Sequence, residues 1–223
     1  LATRAVKRDL ITNDGESLAV FVDGAGPPLV LLHEWGSSHR VWEPIARRLS
    51  CDFTVYRWDA RGHGGHRPRS LAATTIGRMA DDLAEWIVGF QMPPPVLVGH
   101  SMGALTIWEH VARHGSDHLA GIVLLDQSPK LLTDAEWRFG IYGDWPRARD
   151  EAFVADLERD FVGAVVRLVS LGLNGAARKR YERRDPAIDR LESYLASLDP
   201  APLIAVWRTL SAGDWRATLP SLR

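Results

Sequence analysis

The sequence predicts a doubly wound, mostly parallel α/β sheet with an inserted helical cap. The first reason is an alternation of short apolar runs with amphipathic stretches before residue 130, which is typical of a parallel sheet covered by helices. The second is that residues 131–215 have no segment with a convincing strand pattern. We therefore expect a sheet core over residues 1–130, a helical cap over 131–215 and the start of a return to the core over 216–223.

Five segments before residue 130 have the pattern of strands. Two of them, residues 28–32 and 121–125, are continuous apolar runs, as expected for parallel strands that are buried on both faces. The five predicted strands are residues 17–22, 28–32, 53–57, 96–98 and 121–125.

Apolar residues recur at steps of three and four between and after these strands, which indicates helices with one buried face. In the cap, the residues from Phe153 to Leu168 are predicted to lie along one long helix. The predicted helices are residues 41–49, 76–90, 102–114, 153–168, 188–198 and 203–210.

The composition limits the partners of the chain. Hydrophobic residues make up 46% and charged residues 25% of the 223 residues, as in globular proteins. The formal net charge of −1 gives no reason to expect nucleic acid or an anionic membrane as a partner, while a homo-oligomer stays open. No signal-peptide core follows Leu1, so we expect a cytoplasmic protein. The single cysteine, Cys51, excludes an internal disulfide, and we expect it to be packed inside the protein.

The motif with the clearest chemistry is Gly99-His100-Ser101-Met102-Gly103, which lies between a predicted strand and a predicted helix. A serine on so tight a turn projects its hydroxyl from the carboxyl edge of the sheet, and the glycines remove side chains that would collide with neighbouring backbone. The motif in this context predicts that Ser101 is a nucleophile.

At this point the chain resembles the α/β-hydrolase family over nearly its whole length. Besides the serine motif, the resemblance rests on His33-Glu34-Trp35-Gly36, on Asp59-Ala60-Arg61-Gly62-His63-Gly64 and on Asp126-Gln127-Ser128-Pro129. The stretch from Asp126 to Trp137 is similar to the esterases often called non-haem chloroperoxidases. The resemblance implies acyl-transfer chemistry without a metal or an organic cofactor.

The resemblance also implies an oxyanion hole made by the backbone N–H groups of Met102 and Trp35. Glu34 stands where the family usually has glycine, so its carboxylate is expected either near the developing oxyanion or, as the favoured reading, in a salt bridge that points away. Three tryptophans, Trp35, Trp137 and Trp145, are expected near the pocket or the base of the cap, and core packing is the favoured reading of their side chains over contact with the substrate.

The triad needs an acid and a histidine, in that order after the serine. Asp126 follows the strand after the nucleophile helix and is one candidate acid; the alternative acid lies beyond Arg223. None of the eight histidines follows the cap, where the family has its histidine, and the side chain of His100 is expected to point away from the nucleophile. We therefore expect the polypeptide to continue past Arg223 and to bring the base with it.

These observations predict a serine hydrolase that acts on a small or medium carboxylic ester, lactone or related acyl compound. Two alternatives stay open. One is a non-catalytic hydrolase-fold protein that binds a ligand, since fold alone does not fix function. The other is a lyase or a cofactor-free oxygenase that uses the same serine triad.

Overall fold

The computed structural model describes residues 5–221 and has one six-stranded sheet. Its strand order is β1-β2-β4-β3-β5-β6, with β1 and β4 both antiparallel to β2 and the remaining pairs parallel. The predicted class, a mostly parallel α/β sheet, is confirmed. The strands are β1 Val6–Ile11, β2 Ser17–Asp23, β3 Pro28–Leu32, β4 Thr54–Trp58, β5 Val96–His100 and β6 Gly121–Leu125.

The sheet is covered on both faces, because alternate residues of its strands enter two separate apolar clusters. Leu29 and Leu31 of β3 pack with Trp42 on one face, whereas Val30 and Leu32 join the larger cluster on the other. The helices of the core are α1 Glu43–Leu49, α2 Ile76–Gly89 and α3 Met102–His114, and a 3-10 turn, His39–Trp42, precedes α1.

Strand β1 was not among the predicted strands. It pairs with β2 at the edge of the sheet, from Val6 opposite Val22 to Ile11 opposite Ser17. In its sequence, VKRDLI, charged residues interrupt the apolar ones, and Leu10 is its one buried residue. Charged side chains suit an edge strand that faces water, and they also remove the apolar pattern by which buried strands are recognised.

The second half of the described chain is mainly helical. Residues 131–146 form loops, and five helices and a 3-10 turn follow. The elements are α4 Arg147–Arg159, α5 Phe161–Leu171, α6 Gly175–Glu182, α7 Pro186–Ala196, α8 Pro200–Ala212 and the 3-10 turn Arg216–Ser221.

The prediction of one long helix over residues 153–168 was wrong. The chain leaves helical geometry at Asp160, with φ −151° and ψ 80°, and the Asp160 carboxylate accepts a hydrogen bond from the Gly163 amide at 2.9 Å. Aspartate is favoured at helix N-caps for this reason, so α5 begins here. Helix α6 was missed because it contains no buried residue.

A buried carboxylate joins three parts of the helical segment. Asp150 of α4 accepts hydrogen bonds from the indole Nε1 of Trp145 (3.1 Å), the indole Nε1 of Trp207 (3.0 Å) and the hydroxyl of Ser211 (2.9 Å). Because Trp207 and Ser211 belong to α8, this network fixes α4 against α8.

Two other features concern the surface. Cys51 is exposed, so the expectation that it packs inside was wrong; it lies in the turn just before β4. Within residues 5–221, no helix combines the length and the apolar character needed to traverse a lipid bilayer.

Candidate active site

Ser101 lies between the end of β5 and the start of α3, in a backbone conformation that few residues adopt. Its φ is 50° and its ψ is −114°. Its amide donates to the carbonyl of Leu125 at 3.1 Å, and its own carbonyl accepts from the amides of Ala104 and Leu105. Such strain costs on the order of 1–3 kcal/mol and persists where the surrounding contacts fix it. The turn is therefore held by β6 on one side and by α3 on the other.

The two glycines of the motif are required by contact. A Cβ atom on Gly99 would overlap the backbone of Gly103, and a Cβ atom on Gly103 would overlap the carbonyl oxygen of Leu32. The close approach of α3 to β3 and β5 thus depends on the absence of side chains at both positions.

A cavity of about 540 Å³ opens over this turn. Three of the predicted site residues, Ser101, Trp35 and Asp126, line it. Met102 does not line it, since its side chain is buried, with 2% exposed. The apolar walls come from the 131–146 loops, from α5 and α8 and from the turn after α5, and they include Phe139, Ile141, Leu168, Leu173 and Trp207.

The amides of Trp35 and Met102 are the predicted oxyanion donors. Within the residues that the structure describes, neither of these N–H groups donates a hydrogen bond. Met102 is the first residue of α3, and the first amides of a helix have no partner inside it. Both groups are therefore available to a ligand.

The side chain of Trp35 connects this region to the helical segment. Its indole Nε1 donates to the carbonyl of Leu203 in α8 at 2.8 Å, and its ring packs edge-on against Trp207 and Phe161. Trp137 and Trp145, which were expected near the pocket, do not line this cavity, whereas Trp207 does.

The hydroxyl of Ser101 has a partner that the sequence did not predict. It donates to Oε1 of Gln127 at 3.4 Å, and the Gln127 amide group in turn donates to the carbonyl of Ser128. Over residues 5–221, no histidine forms a hydrogen bond with this hydroxyl. The sequence feature that could have indicated this contact is the position of Gln127 directly after Asp126, at the end of a strand.

Asp126, the candidate acid, follows β6 as Ser101 follows β5. Its φ is also 50°, and its side chain is exposed at the cavity. Within the described chain its carboxylate forms no hydrogen bond. The charge of Asp126 acts on two neighbours. Burial raises the pKa of Tyr142, and the Asp126 charge adds to that increase. The same charge favours the protonated form of His100 and so raises its pKa.

Glu34 and His100 form a pair in the same cavity. Nδ1 of His100 lies 3.2 Å from Oε2 of Glu34, and both side chains line the cavity beside Ser101. The expectation that His100 points away was therefore wrong. The hydrogen bond to Glu34 raises the pKa of His100 above its usual value. Burial raises the pKa of Glu34, but the hydrogen bond and charge of His100 outweigh burial, so the pKa lies below its usual value.

Behind this pair, His33 holds the loop of residues 33–36 in place. The Ala60 amide donates to Nε2 of His33 at 3.1 Å, so the proton is on Nδ1, which donates to the carbonyl of Glu34 at 2.8 Å. Burial lowers the pKa of His33. Burial, together with the charge of nearby His33, lowers the pKa of His63 to about 3. Both rings are thus neutral at neutral pH, and His33 supports the loop through its two hydrogen bonds.

No group of three or more histidine, cysteine, aspartate or glutamate side chains in the described part of the chain is arranged to hold a metal ion. The chemistry that this site can perform with its own groups is attack by a half-buried serine hydroxyl, which lines the cavity, on a carbonyl, with amides to stabilise the resulting oxyanion.

Comparison with known proteins agrees with this geometry. Residues 29–222 match the model of the α/β hydrolase family. The chain belongs to the α/β hydrolase family. The predicted resemblance is confirmed, and this α/β hydrolase is an enzyme whose relatives include carboxylic ester hydrolases.

Two relatives of this α/β hydrolase are pimeloyl-[acyl-carrier protein] methyl ester esterases. That of Vibrio vulnificus (strain CMCP6) is 30% identical over 202 residues, which cover 89% of this chain and 72% of the relative. That of Sodalis glossinidius (strain morsitans) is 34% identical over 182 residues, which cover 80% of this chain and 62% of the relative.

Solved structures share its fold. An esterase from Exiguobacterium antarcticum superimposes with a TM-score of 0.82 at 19% identity, covering 98% of this chain and 78% of that protein. A bromoperoxidase from Bacillus anthracis gives a TM-score of 0.80 at 20% identity, with the same coverage of 98% and 78%. At these identities the likeness concerns the fold alone.

Proposed function

We propose that this α/β hydrolase cleaves a small or medium carboxylic ester, lactone or related acyl compound through an acyl-enzyme on Ser101. The observation that carries the proposal is the strained turn at Ser101, with φ 50°, at the floor of a cavity of about 540 Å³. Strain of this kind is typical of functional sites, and here it presents a hydroxyl to a space that could hold a small ester.

In the proposed reaction, Oγ of Ser101 attacks the carbonyl carbon of the ester while a histidine base takes the hydroxyl proton. The carbonyl π electrons move onto oxygen, and the alcohol then leaves with the proton from the base. Water repeats the sequence on the acyl-enzyme, releasing the acid and restoring the hydroxyl.

The negative oxygen formed in both steps would be bound by the amides of Trp35 and Met102. Their freedom from other partners in the described chain supports this role. Each such donor contributes roughly 3 kcal/mol to stabilisation of the transition state.

Asp126 is our proposed orienting acid for the histidine. Its exposed carboxylate at the cavity and its free oxygens support the role. If it orients the base, Asp126→Asn lowers kcat by orders of magnitude with little change in stability. Normal kcat in this variant would assign the acid to another residue.

The segment of residues 131–215, whose helices span residues 147–212, is our proposed cap. Leu168 and Leu173 near α5, together with Trp207 of α8, contribute to the walls of the cavity over Ser101. Walls of this kind exclude water and select the substrate. Substitutions at Leu168 and Leu173 should change the preference among esters more than they change stability.

A fluorophosphonate probe tests the nucleophile directly. We expect a covalent adduct on the peptide that contains Ser101, and no adduct and no turnover of short p-nitrophenyl esters in Ser101→Ala. Ser193→Ala is the matched control, because Ser193 is an exposed serine of α7 that does not line the cavity. An adduct on a different serine, or full turnover in Ser101→Ala, would refute the assignment.

A second candidate substrate is a methyl ester on an acyl carrier protein, as in the names of the relatives. A basic surface beside the cavity favours it. Leu173 and Asn174 line the cavity, and α6 begins directly after them. This helix and its end carry five exposed cations, none with an ion-pair partner among the described residues: Arg178, Lys179, Arg180, Arg183 and Arg184.

Such a surface would attract a carrier protein with an acidic surface. The measurement is the ratio of kcat/KM for a carrier-linked methyl ester to kcat/KM for the free methyl ester. In the double variant Arg180→Glu/Arg183→Glu we expect this ratio to fall about tenfold at low salt, with a smaller fall at high salt. An unchanged ratio would exclude α6 as the docking surface.

A further inference from the structure

The pair formed by Glu34 and His100 occupies a position with a chemical cost. Glu34 directly precedes Trp35, whose amide is the proposed oxyanion donor, and its carboxylate lines the same cavity as Ser101. A carboxylate near a developing negative charge opposes its formation, and a cavity partly shielded from water weakens the screening. An unpaired Glu34 would therefore slow the attack on the ester.

His100 removes that cost and also constrains the loop. Its Nδ1 lies 3.2 Å from Oε2 of Glu34, and the two side chains are 35% and 27% exposed, so solvent screens the pair only in part. From the other side, His33 donates to the carbonyl of Glu34 at 2.8 Å. Glu34 is thus held by its side chain to the end of β5 and by its carbonyl to the core.

We propose that His100 is a positioning residue, which cancels the charge of Glu34 beside the oxyanion and anchors the 33–36 loop so that the Trp35 amide meets that oxyanion. This inference rests on the proposed function of Ser101. According to this proposal, His100, which directly precedes the nucleophile, and Glu34, which lies 66 positions earlier in the chain, act together as one ion pair.

The charged groups around His100 agree with this role. Two carboxylates face it, Glu34 from the 33–36 loop and Asp126 from the end of β6, and both favour its protonated form. Tyr142 adds a neutral phenol whose pKa burial raises further. No lysine or arginine lines this cavity in the described chain, so protonated His100 is the side chain there that can balance the two carboxylates.

The test uses the full-length protein and three variants: His100→Gln, Glu34→Gln and the double variant. His100→Gln keeps a hydrogen-bond donor but leaves the carboxylate uncompensated, so we expect kcat/KM for a p-nitrophenyl ester to fall roughly tenfold. Removing the carboxylate as well should recover most of that loss, so the double variant should be faster than His100→Gln alone. A role in folding alone would not produce this recovery.

The matched control is His114→Gln. His114 also pairs with a carboxylate, Asp81, at 2.9 Å and with similar exposure, 34% and 24%, but it lies at the far end of α3 from Ser101. We expect this variant to have the wild-type kcat/KM.

Titration gives a second readout. The pKa of His100, followed by NMR of its ring, should be above the usual histidine value in the wild type and should fall in Glu34→Gln. Activity that depends on protonated His100 should decline on the alkaline side as this group loses its proton, and Glu34→Gln should lack that decline.

Several results would overturn the inference. One is wild-type kcat/KM in His100→Gln, and another is a double variant that is as slow as His100→Gln. A third is a His100 pKa that Glu34→Gln does not lower. Each of these leaves the esterase proposal intact as long as the wild type turns over esters and is labelled at Ser101. A wild type with neither turnover nor label would instead refute the esterase proposal, and this inference with it.

Discussion

Two buried carboxylates stabilise this molecule in different ways. Asp82 of α2 is fully buried and binds Arg61 through two hydrogen bonds, at 2.8 and 3.0 Å, with Arg78 as a further cation. Asp150 of α4 is 8% exposed and has neutral donors instead, two indoles and one hydroxyl. In the core, the Asp82 carboxylate is thus balanced by positively charged arginines. In the helical segment, the Asp150 carboxylate is stabilised by neutral hydrogen-bond donors.

This difference has consequences for removal of the charge. In the core, loss of the carboxylate leaves a buried guanidinium without its main partner, which costs far more than the hydrogen bonds themselves. In the helical segment, loss of the charge leaves only neutral donors, whose unmet hydrogen bonds cost less.

The largest effect is expected for Asp82→Asn. Arg61 is fully buried and, among the described residues, would keep Asp14 and Glu16 as acidic partners. We expect the free energy of unfolding to fall by about 3–5 kcal/mol, measured by urea denaturation. A loss below about 1 kcal/mol would mean that the remaining acids compensate Arg61 fully.

A smaller loss is expected for Asp150→Asn. The asparagine oxygen can still accept from some of the three donors, but its amide group faces the others. We expect a loss of about 1–3 kcal/mol in the same measurement. If this variant were less stable than Asp82→Asn, the contrast between the two regions would be wrong.

A lower pH should destabilise the core through His110, a neutral residue of α3 that contacts α2. The backbone carbonyl of Ala80 accepts from Nδ1 of His110, and Nε2 faces Nε2 of His118 at 2.8 Å. Burial lowers the pKa of His110 to about 4. A histidine neutral in the folded state contributes its full stability above the unfolded pKa of about 6.5, and this contribution is lost as the pH falls towards 4.

We therefore expect a loss of roughly 2 kcal/mol between pH 7 and pH 4, measured as the free energy of unfolding. His110→Leu should flatten this part of the pH dependence relative to the wild type. An equally steep dependence in the variant would assign the acid sensitivity to other groups, such as His63.

The smallest effect is expected for removal of one indole donor. Trp207→Phe takes one of the three partners from Asp150, while Trp86→Phe is the control, because Trp86 is fully buried and its Nε1 has no hydrogen-bond partner. Both variants lose ring volume, so their difference isolates the hydrogen bond. We expect the loss of stability in Trp207→Phe to exceed the loss in Trp86→Phe by about 1 kcal/mol. Equal losses would mean that the hydrogen bond from Trp207 to Asp150 does not contribute to stability.

The sequence predicted the buried part of the fold well because burial leaves a periodic pattern. Strands β2 to β6 and helices α2 and α3 follow from apolar runs and stripes. The edge strand β1 and the exposed helix α6 lack such a pattern, and both were missed. The break between α4 and α5 depends on one capping side chain, Asp160, which sequence spacing does not distinguish from a surface aspartate in a continuous helix.

The candidate site divides in the same way. Ser101, Trp35 and Asp126 were found because each follows a strand, and the carboxyl ends of parallel strands meet at one edge. Gln127 at the hydroxyl and the contact between His100 and Glu34 were not, since they depend on side-chain directions fixed by residues distant in sequence.

The hydrogen bond from the Trp35 indole to Leu203 makes the two halves of the molecule mechanically dependent on each other. The same residue offers its amide to the substrate oxygen and its side chain to α8, so a displacement of α8 moves the proposed oxyanion donor with it. Changes in the helices that admit a larger substrate would therefore also alter the rate of the chemical step. Substrate range and turnover would change together in this enzyme, and a redesigned helical segment would need to keep the carbonyl of Leu203 where Trp35 can reach it.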